Sequence, residues 1–383
     1  MAYNILRNTT FPEDTMLILS LITSLCVTWI ALHLLKPVAY RAHLLDIPQG
    51  RKQHIGAVPL IGGISVFLGV SAAVLLTVPN DVAVTTWLLC ALGIVLLGVA
   101  DDAEDLSVKL RIAMQITLTL ALCIGSGVSL ANLGNLLGLG EIDLGVFSYP
   151  FTVLIVLGVI NAFNMIDGID GLLGSVALVS LLSLVMLFGL STHAHLLSVS
   201  VIFVAALVPY LLNNLVLPPF KEKIFMGDAG SMLIGLTISW LLIEGTQDTT
   251  QQAFRPVTAL WLIALPLMDM VRVILVRLRD RRSPFAAGRD HLHHLLLNIG
   301  MSKGATLLTM AAIALVLASV GILTEYLQTS ASVMFYGFLL TFLAYLLMVA
   351  PLVDAEKDSL KNWLEAASLT QTARKILARY GNN

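Results

Sequence analysis

The sequence predicts an all-α, polytopic integral membrane protein of about eleven transmembrane helices, and three observations predict it. The 383-residue chain is 57% hydrophobic and only 12% charged, with a mean hydropathy of +0.89, whereas soluble domains carry roughly 25% charged residues. Its apolar residues fall in runs long enough to cross a bilayer. Its cations gather in alternate gaps between those runs. A net charge of −2 and a pI near 6.4 argue against a chain that grips nucleic acid through phosphate neutralisation, and the apolar content excludes disorder. Cys26, Cys90 and Cys123 all lie inside apolar runs without paired spacing, so they are expected to pack or face lipid rather than form a zinc site or a disulfide framework.

Each span follows from one requirement. Backbone groups in lipid must be hydrogen-bonded within their own segment, and at 1.5 Å per residue a helix needs about 20 apolar residues to cross. The runs that qualify are 16–35, 58–78, 82–100, 111–131, 149–166, 171–190, 195–217, 229–244, 256–276, 304–325 and 331–352. The first is long, follows only Arg7 and lacks a small-residue cleavage site directly after it, so it is expected to be a permanent helix rather than a signal peptide. With the N-terminus outside, inner loops and tail hold nineteen of the 22 Lys and Arg, from Lys36 to Arg379. The outer segments hold Arg7 and Arg255, and Arg272 lies within the ninth span. Cation-rich short loops stay in the cytoplasm, which orients the chain N-terminus out, C-terminus in. Residues 1–353 read as one transmembrane catalytic domain and 354–383 as a cytoplasmic polar tail. In the tail, Leu360, Trp363, Leu364, Ala367, Ile376 and Leu377 recur at helical intervals among charges. No internal repeat is visible.

The acids cluster at inner helix ends. DDAED supplies Asp101, Asp102, Glu104 and Asp105; NAFNMIDGIDGL supplies Asp167 and Asp170 with Asn161 and Asn164 a turn earlier; FMGDAGS supplies Asp228 at the entry to the eighth span. Each has a plain alternative: a solvated loop or cap for Asp101 and Asp102, a helix N-cap for Asp228. The pair at 167 and 170 is harder to explain that way, because like charges in so short a loop repel unless a positive group lies between them. Three loops at one membrane depth can instead surround one divalent cation. Oxygen ligands suit Mg²⁺, with Mn²⁺ as a substitute, and Mg²⁺ typically shares one or two carboxylates with substrate phosphates. Cations on the same side complete the pattern: Arg51, Lys52 and His54, then Lys109 and Arg111, then RDHLHH with Arg289, His291, His293 and His294. Adjacent histidines on one short segment are not expected to point the same way, so anion recognition is preferred to metal ligation. His193 and His195 read as solvated outer-loop residues. Asp269 and Arg272, three apart inside a span, are expected to pair, because isolated charges there are costly.

DDAED, NAFNMIDGIDGL, FMGDAGS and RDHLHH, with KQHIGAVPLIGGISV and PVTALWLIALPLMDM, resemble the polyprenyl-phosphate N-acetylhexosamine-1-phosphate transferases over about residues 36–350. The resemblance implies transfer of GlcNAc-1-phosphate from UDP-GlcNAc to undecaprenyl phosphate with Mg²⁺, releasing UMP, in the bacterial cytoplasmic membrane with the site facing the cytoplasm. This is the initiating step of O-antigen and enterobacterial common antigen synthesis. It implies catalytic roles for Asp101 and Asp102 and metal ligation by Asp170 and Asp228. It implies nucleotide or sugar-phosphate contacts for Asn161, Asn164, Asp167 and Asn214, and donor-side contacts for Lys52, His54, Arg289, His291, His293 and His294. A homodimer enters only as an analogy. Two rivals stand: the same chemistry with UDP-MurNAc-pentapeptide or UDP-GalNAc, and a divalent-cation or proton-coupled transporter. The RDHLHH form favours a GlcNAc-type donor. The acids at helix ends and the lack of repeats disfavour transport, which places its substrate near mid-bilayer.

Overall fold

In a computed structural model the chain is a bundle of helices; the structure describes residues 13–48, 56–79, 81–248, 251–284, 288 and 290–353. Lys52, His54, Arg289 and the tail at 354–383 lie outside the described residues. The helices are α1 (Glu13–Arg41), α2 (Gly62–Thr77), α3 (Val82–Glu104), α4 (Val108–Ser126), α5 (Ser148–Ile166), α6 (Leu172–Gly189), α7 (Ala194–Asn214) and α8 (Gly227–Gln247). They continue with α9 (Pro256–Leu262), α10 (Ala264–Arg279), α11 (Leu292–Asn298), α12 (Lys303–Tyr326) and α13 (Ala331–Val353). Among the described residues nine are long and apolar enough to cross a membrane, or ten with the bent pair α9–α10 counted as one. The protein is thus a multi-pass, all-α membrane protein. Every run read from the sequence is helical, but two differ in form.

The second run is helical only over Gly62–Thr77. Its first residues are extended: Val58–Pro59 pairs with Leu45–Asp46, and Phe225 N donates to Pro59 O at 3.0 Å. These bonds occupy the backbone that a longer helix would need. The ninth run, expected as one helix over 256–276, is broken and bends by 80° between α9 and α10. Pro266 is the cause. It has no N–H to offer the Leu262 carbonyl, and its ring crowds that position; Ser180 Oγ donates to Leu262 O instead, at 2.8 Å.

The centre of the bundle is α8, 94% of whose spanning window is buried, against 17% for α13 at the periphery. Its sequence suits that place. Thr237, Ser239 and Thr246 donate back to carbonyls three or four residues earlier, so buried hydroxyls cost nothing unpaired. Small residues let neighbouring backbones approach: a Cβ on Gly98 of α3 would lie 2.2 Å from Ala229 Cα. That crossing fixes the start of α8 against the end of α3, where the acids lie. At the opposite end, His193, expected to be solvated, is buried and its Nε2 bonds Asp248 Oδ2 at 3.1 Å. The loop around it folds inward, since residue 251 also bonds Thr192.

Candidate active site

Asp101 and Asp102 end α3 and are used differently. Asp101 is buried; Oδ1 accepts from Leu106 N at 2.9 Å and Oδ2 from Arg111 Nη1 at 2.6 Å, so it closes the turn into α4 and orients that arginine. Asp105, in the left-handed region at φ 51°, completes the turn. Asp102 points across to α8. Its Oδ1 accepts from Asp228 N at 2.9 Å and its Oδ2 from Ala229 N at 3.3 Å, so a carboxylate from one helix caps the first turn of another, where backbone donors and the helix dipole favour negative charge. Asp228, expected to ligate a metal with an N-cap role as the alternative, does not cap the helix: it is the second residue of α8, behind Met226 as the cap position. Its own carboxylate is held by Asn164, whose Nδ2 donates to Oδ1 at 2.6 Å and to Ser231 Oγ at 2.8 Å. The other oxygen, Oδ2, has Arg111 Nη1 at 3.8 Å. Three motifs far apart in sequence therefore meet through side chains.

The loop after α5 carries Asp167 and Asp170. Asp167 lines a cavity and reaches water through it, yet protein crowds its carboxyl. That crowding, with Asp228 and Asp170 nearby, pushes its pKa up to about 7. Asp170 bonds Lys223 Nζ at 2.7 Å. Asn214, expected to touch a ligand, is buried; it accepts from Gly171 N at 2.6 Å and donates to Ile224 O at 2.8 Å, tying this loop to the segment that leads into α8.

The cavity, about 300 Å³, is lined by Arg111, Gln115, Asn161, Asn164, Asp167 and Gly168, and by Arg277, Gly288, His291, His293 and His294. Asp101, Asp102, Asp170 and Asp228 do not line it; Asp101 and Asp228 stand behind Arg111 and Asn164. The three histidines face the cavity together, contrary to expectation. His291 is the extended cap of α11 (φ −72°, ψ 153°), so the next ring enters from the first helical turn, and His291 and His293 stack at 5.9 Å with 7° between planes. His293 is buried against Gly168, where a Cβ would meet its Nε2 at 1.9 Å. Burial, with His294 and His291 adjacent, pushes it down to about 3, so the ring is neutral near neutral pH. Asp269 and Arg272 do pair, at 3.0 Å. Sequence reasoning missed two polar side chains of the lining. Arg277, whose Nε donates to Asp290 Oδ2 at 3.0 Å, lay hidden in a cation-rich helix end. Gln115, whose signal was an amide inside a span, donates to Met232 Sδ at 3.2 Å. Lys109 is exposed and does not line the cavity.

Among the described residues no group of three or more His, Cys, Asp or Glu side chains is close enough to hold a metal alone. The donor set still fits Mg²⁺, which takes one or two carboxylates and fills its octahedron with water and phosphate oxygens. Asp228 is oriented by Asn164 through one oxygen and keeps the other only loosely engaged, which leaves an oxygen for a hard cation.

Fold and site together define a class: a polytopic membrane transferase whose polar cavity, at one end of the bundle, has a histidine wall and, behind Arg111 and Asn164, a carboxylate wall. The family model for glycosyl transferase family 4 matches residues 84–246, which span α3 to α8. Relatives named undecaprenyl-phosphate alpha-N-acetylglucosaminyl 1-phosphate transferase are similar over most of the chain. The one from Salmonella typhi is 40% identical over 326 residues, covering 85% of this chain and 89% of its own. That from Yersinia pestis is 40% identical over 311 residues (81% and 85%), and that from Pasteurella multocida 39% over 330 (86% and 92%). The chain belongs to glycosyl transferase family 4, among its polyprenyl-phosphate N-acetylhexosamine-1-phosphate transferases.

Proposed function

We propose that this protein transfers GlcNAc-1-phosphate from UDP-GlcNAc to undecaprenyl phosphate, releasing UMP and forming GlcNAc-diphospho-undecaprenol. One observation carries this reading: Asp102, Asp228 and Asn164, from three separate motifs, meet beside a cavity whose other wall is Arg277 and three histidines. The relatives' names agree with it. The inner-loop excess of Lys and Arg supports a cytoplasm-facing site in the bacterial inner membrane. Asp228 and Asp170 would hold Mg²⁺, with Lys223 as the cation beside Asp170. Bound there, the metal ion supplies charge neutralisation on the donor pyrophosphate.

The chain's residues then account for the transfer. An oxygen of the lipid phosphate bonds to the β-phosphorus, and the bond from that phosphorus to the UMP oxygen breaks. A phosphate monoester is mostly dianionic at pH 7, so the attacking oxygen needs little proton removal. Asp102 serves mainly to hold the start of α8, and with it Asp228, in register. Asp101 orients Arg111, which stands between the two acid motifs to steady phosphate oxygens. Arg277 and the histidine wall receive the nucleotide-sugar. Incubating purified protein, undecaprenyl phosphate and Mg²⁺ separately with UDP-GlcNAc, UDP-GalNAc and UDP-MurNAc-pentapeptide, and measuring UMP, tests the reading. UMP is expected from UDP-GlcNAc; release only from the muramyl donor would overturn it.

A further inference from the structure

The histidine wall hangs on a residue of the broken span. Asp269, six positions into α10 and 2% exposed, has both carboxylate oxygens engaged. Oδ2 accepts from His291 Nδ1 at 2.8 Å; Oδ1 accepts from Leu292 N at 3.1 Å, Arg272 Nη2 at 3.0 Å and Tyr345 OH at 2.9 Å. An ion pair with Arg272 would be enough to explain a buried carboxylate, but here it is one contact of four. The Arg272 nitrogen that meets Asp269 also donates to the carbonyl of Asp290. Asp269 and Arg272 therefore fix three consecutive residues of the histidine loop: the Asp290 carbonyl, the His291 ring and the Leu292 amide.

A carboxylate only accepts, so the hydrogen in the His291 contact resides on Nδ1. That leaves Nε2 for the cavity that His291 lines. A carboxylate behind Nδ1 also supports positive charge on the ring when Nε2 donates to an anion. We infer that Asp269 is a positioning residue of the transferase reaction: it sets the orientation and tautomer of His291 toward the diphosphate of the nucleotide-sugar, and Tyr345 ties that setting to α13. The inference rests on the functional reading above for its ligand, not for its geometry.

Full-length protein in detergent, assayed by UMP release from UDP-GlcNAc, tests it. Asp269→Asn is expected to raise the donor KM about tenfold, as losing the partner that orients a functional histidine does. The undecaprenyl phosphate KM should stay within about twofold. His291→Asn should raise the same donor KM, and the double variant should be no worse than His291→Asn alone, since Asp269 acts through that ring. Tyr345→Phe should raise the donor KM by roughly twofold and keeps the test open if Asp269→Asn fails to fold. Effects of Asp269→Asn and His291→Asn that multiply, or equal losses toward both substrates, would overturn the inference. A readout that needs no substrate is ¹⁵N NMR of histidine-labelled protein. The signal that vanishes in His291→Asn should carry its hydrogen on Nδ1; a neutral ring protonated on Nε2 would refute the geometry even if no UDP-sugar proved to be a donor. A correct tautomer with no UMP from UDP-GlcNAc would instead fail the functional reading and leave the positioning of His291 supported.

Discussion

The carboxylate wall, which reaches the cavity through Arg111 and Asn164, and the histidine wall, which lines it directly, are held by different means. The first is assembled from helix ends: Asp102 caps α8, Asn164 braces Asp228, and Asp101 steers Arg111. Its charges stay partly uncommitted, with Asp228 Oδ2 meeting Arg111 only at 3.8 Å. The second is a short extended segment and one helical turn, pinned from behind by buried Asp269 and Arg272. The difference teaches a division of work. A wall with spare oxygens can take up a cation and phosphate charge, while a wall whose backbone is locked can present neutral or cationic rings at fixed positions for a donor to read.

That contrast breaks most visibly at Asp228. Asp228→Asn keeps shape and the Asn164 contact but removes the charge, and the rate is expected to fall about a hundredfold or more, the scale of losing one preorganised electrostatic group. The Mg²⁺ concentration for half-maximal rate should rise with it, while donor binding by the histidine wall changes less. Wild-type turnover in this variant would remove Asp228 from the metal site.

Gly168 is the seam between the walls, since it belongs to the acid motif yet packs on His293. In Gly168→Ala the new methyl cannot coexist with the ring in place, and overpacking of this kind costs about 1–3 kcal/mol. The expected result is a donor KM raised about tenfold, with the Mg²⁺ requirement unchanged. A shift in Mg²⁺ requirement alone would mean that the two walls are not separable.

The smallest effect is on acid stability. The fold favours neutral His293, whose pKa is pushed down to about 3 from an ordinary 6.5. Stability from this ring is therefore complete above 6.5 and lost as pH falls from there toward 3, because the unfolded chain gains a proton that the native state refuses. Between pH 7 and 5 the thermal midpoint of detergent-solubilised wild-type protein should fall relative to that of His293→Phe, the raised carboxyl of Asp167 acting alike in both. An equal change in both would place the ring in water.

Much of this was legible in the sequence. The apolar runs located every long helix but not the short α11 (Leu292–Asn298), and motif composition marked both walls, because acids and histidines at helix ends stand out against lipid-compatible surroundings. The break at Pro266 was written in the chain, but a kink and a break look alike until Ser180 is seen on the Leu262 carbonyl. Asn214 and Asn164 share a type and a neighbourhood. One proved a buried tie between loops and the other a brace on Asp228, a distinction of orientation that spacing does not carry. Arg277 was masked by the cations around it, and the mark of Gln115, an amide inside an apolar span, does not say which neighbour it faces.

By itself the sequence determined that this chain lives in a membrane, where its apolar segments lie, and which residue types gather at their ends. Hydrophobic length and charge are properties of each segment, so they can be read locally. Only the tertiary structure decided that Asp102 caps another helix, that three histidines share one face, and that Asp269 stands behind them. Those contacts join positions from 22 to 126 residues apart, and helix crossing, not local pattern, brings them together.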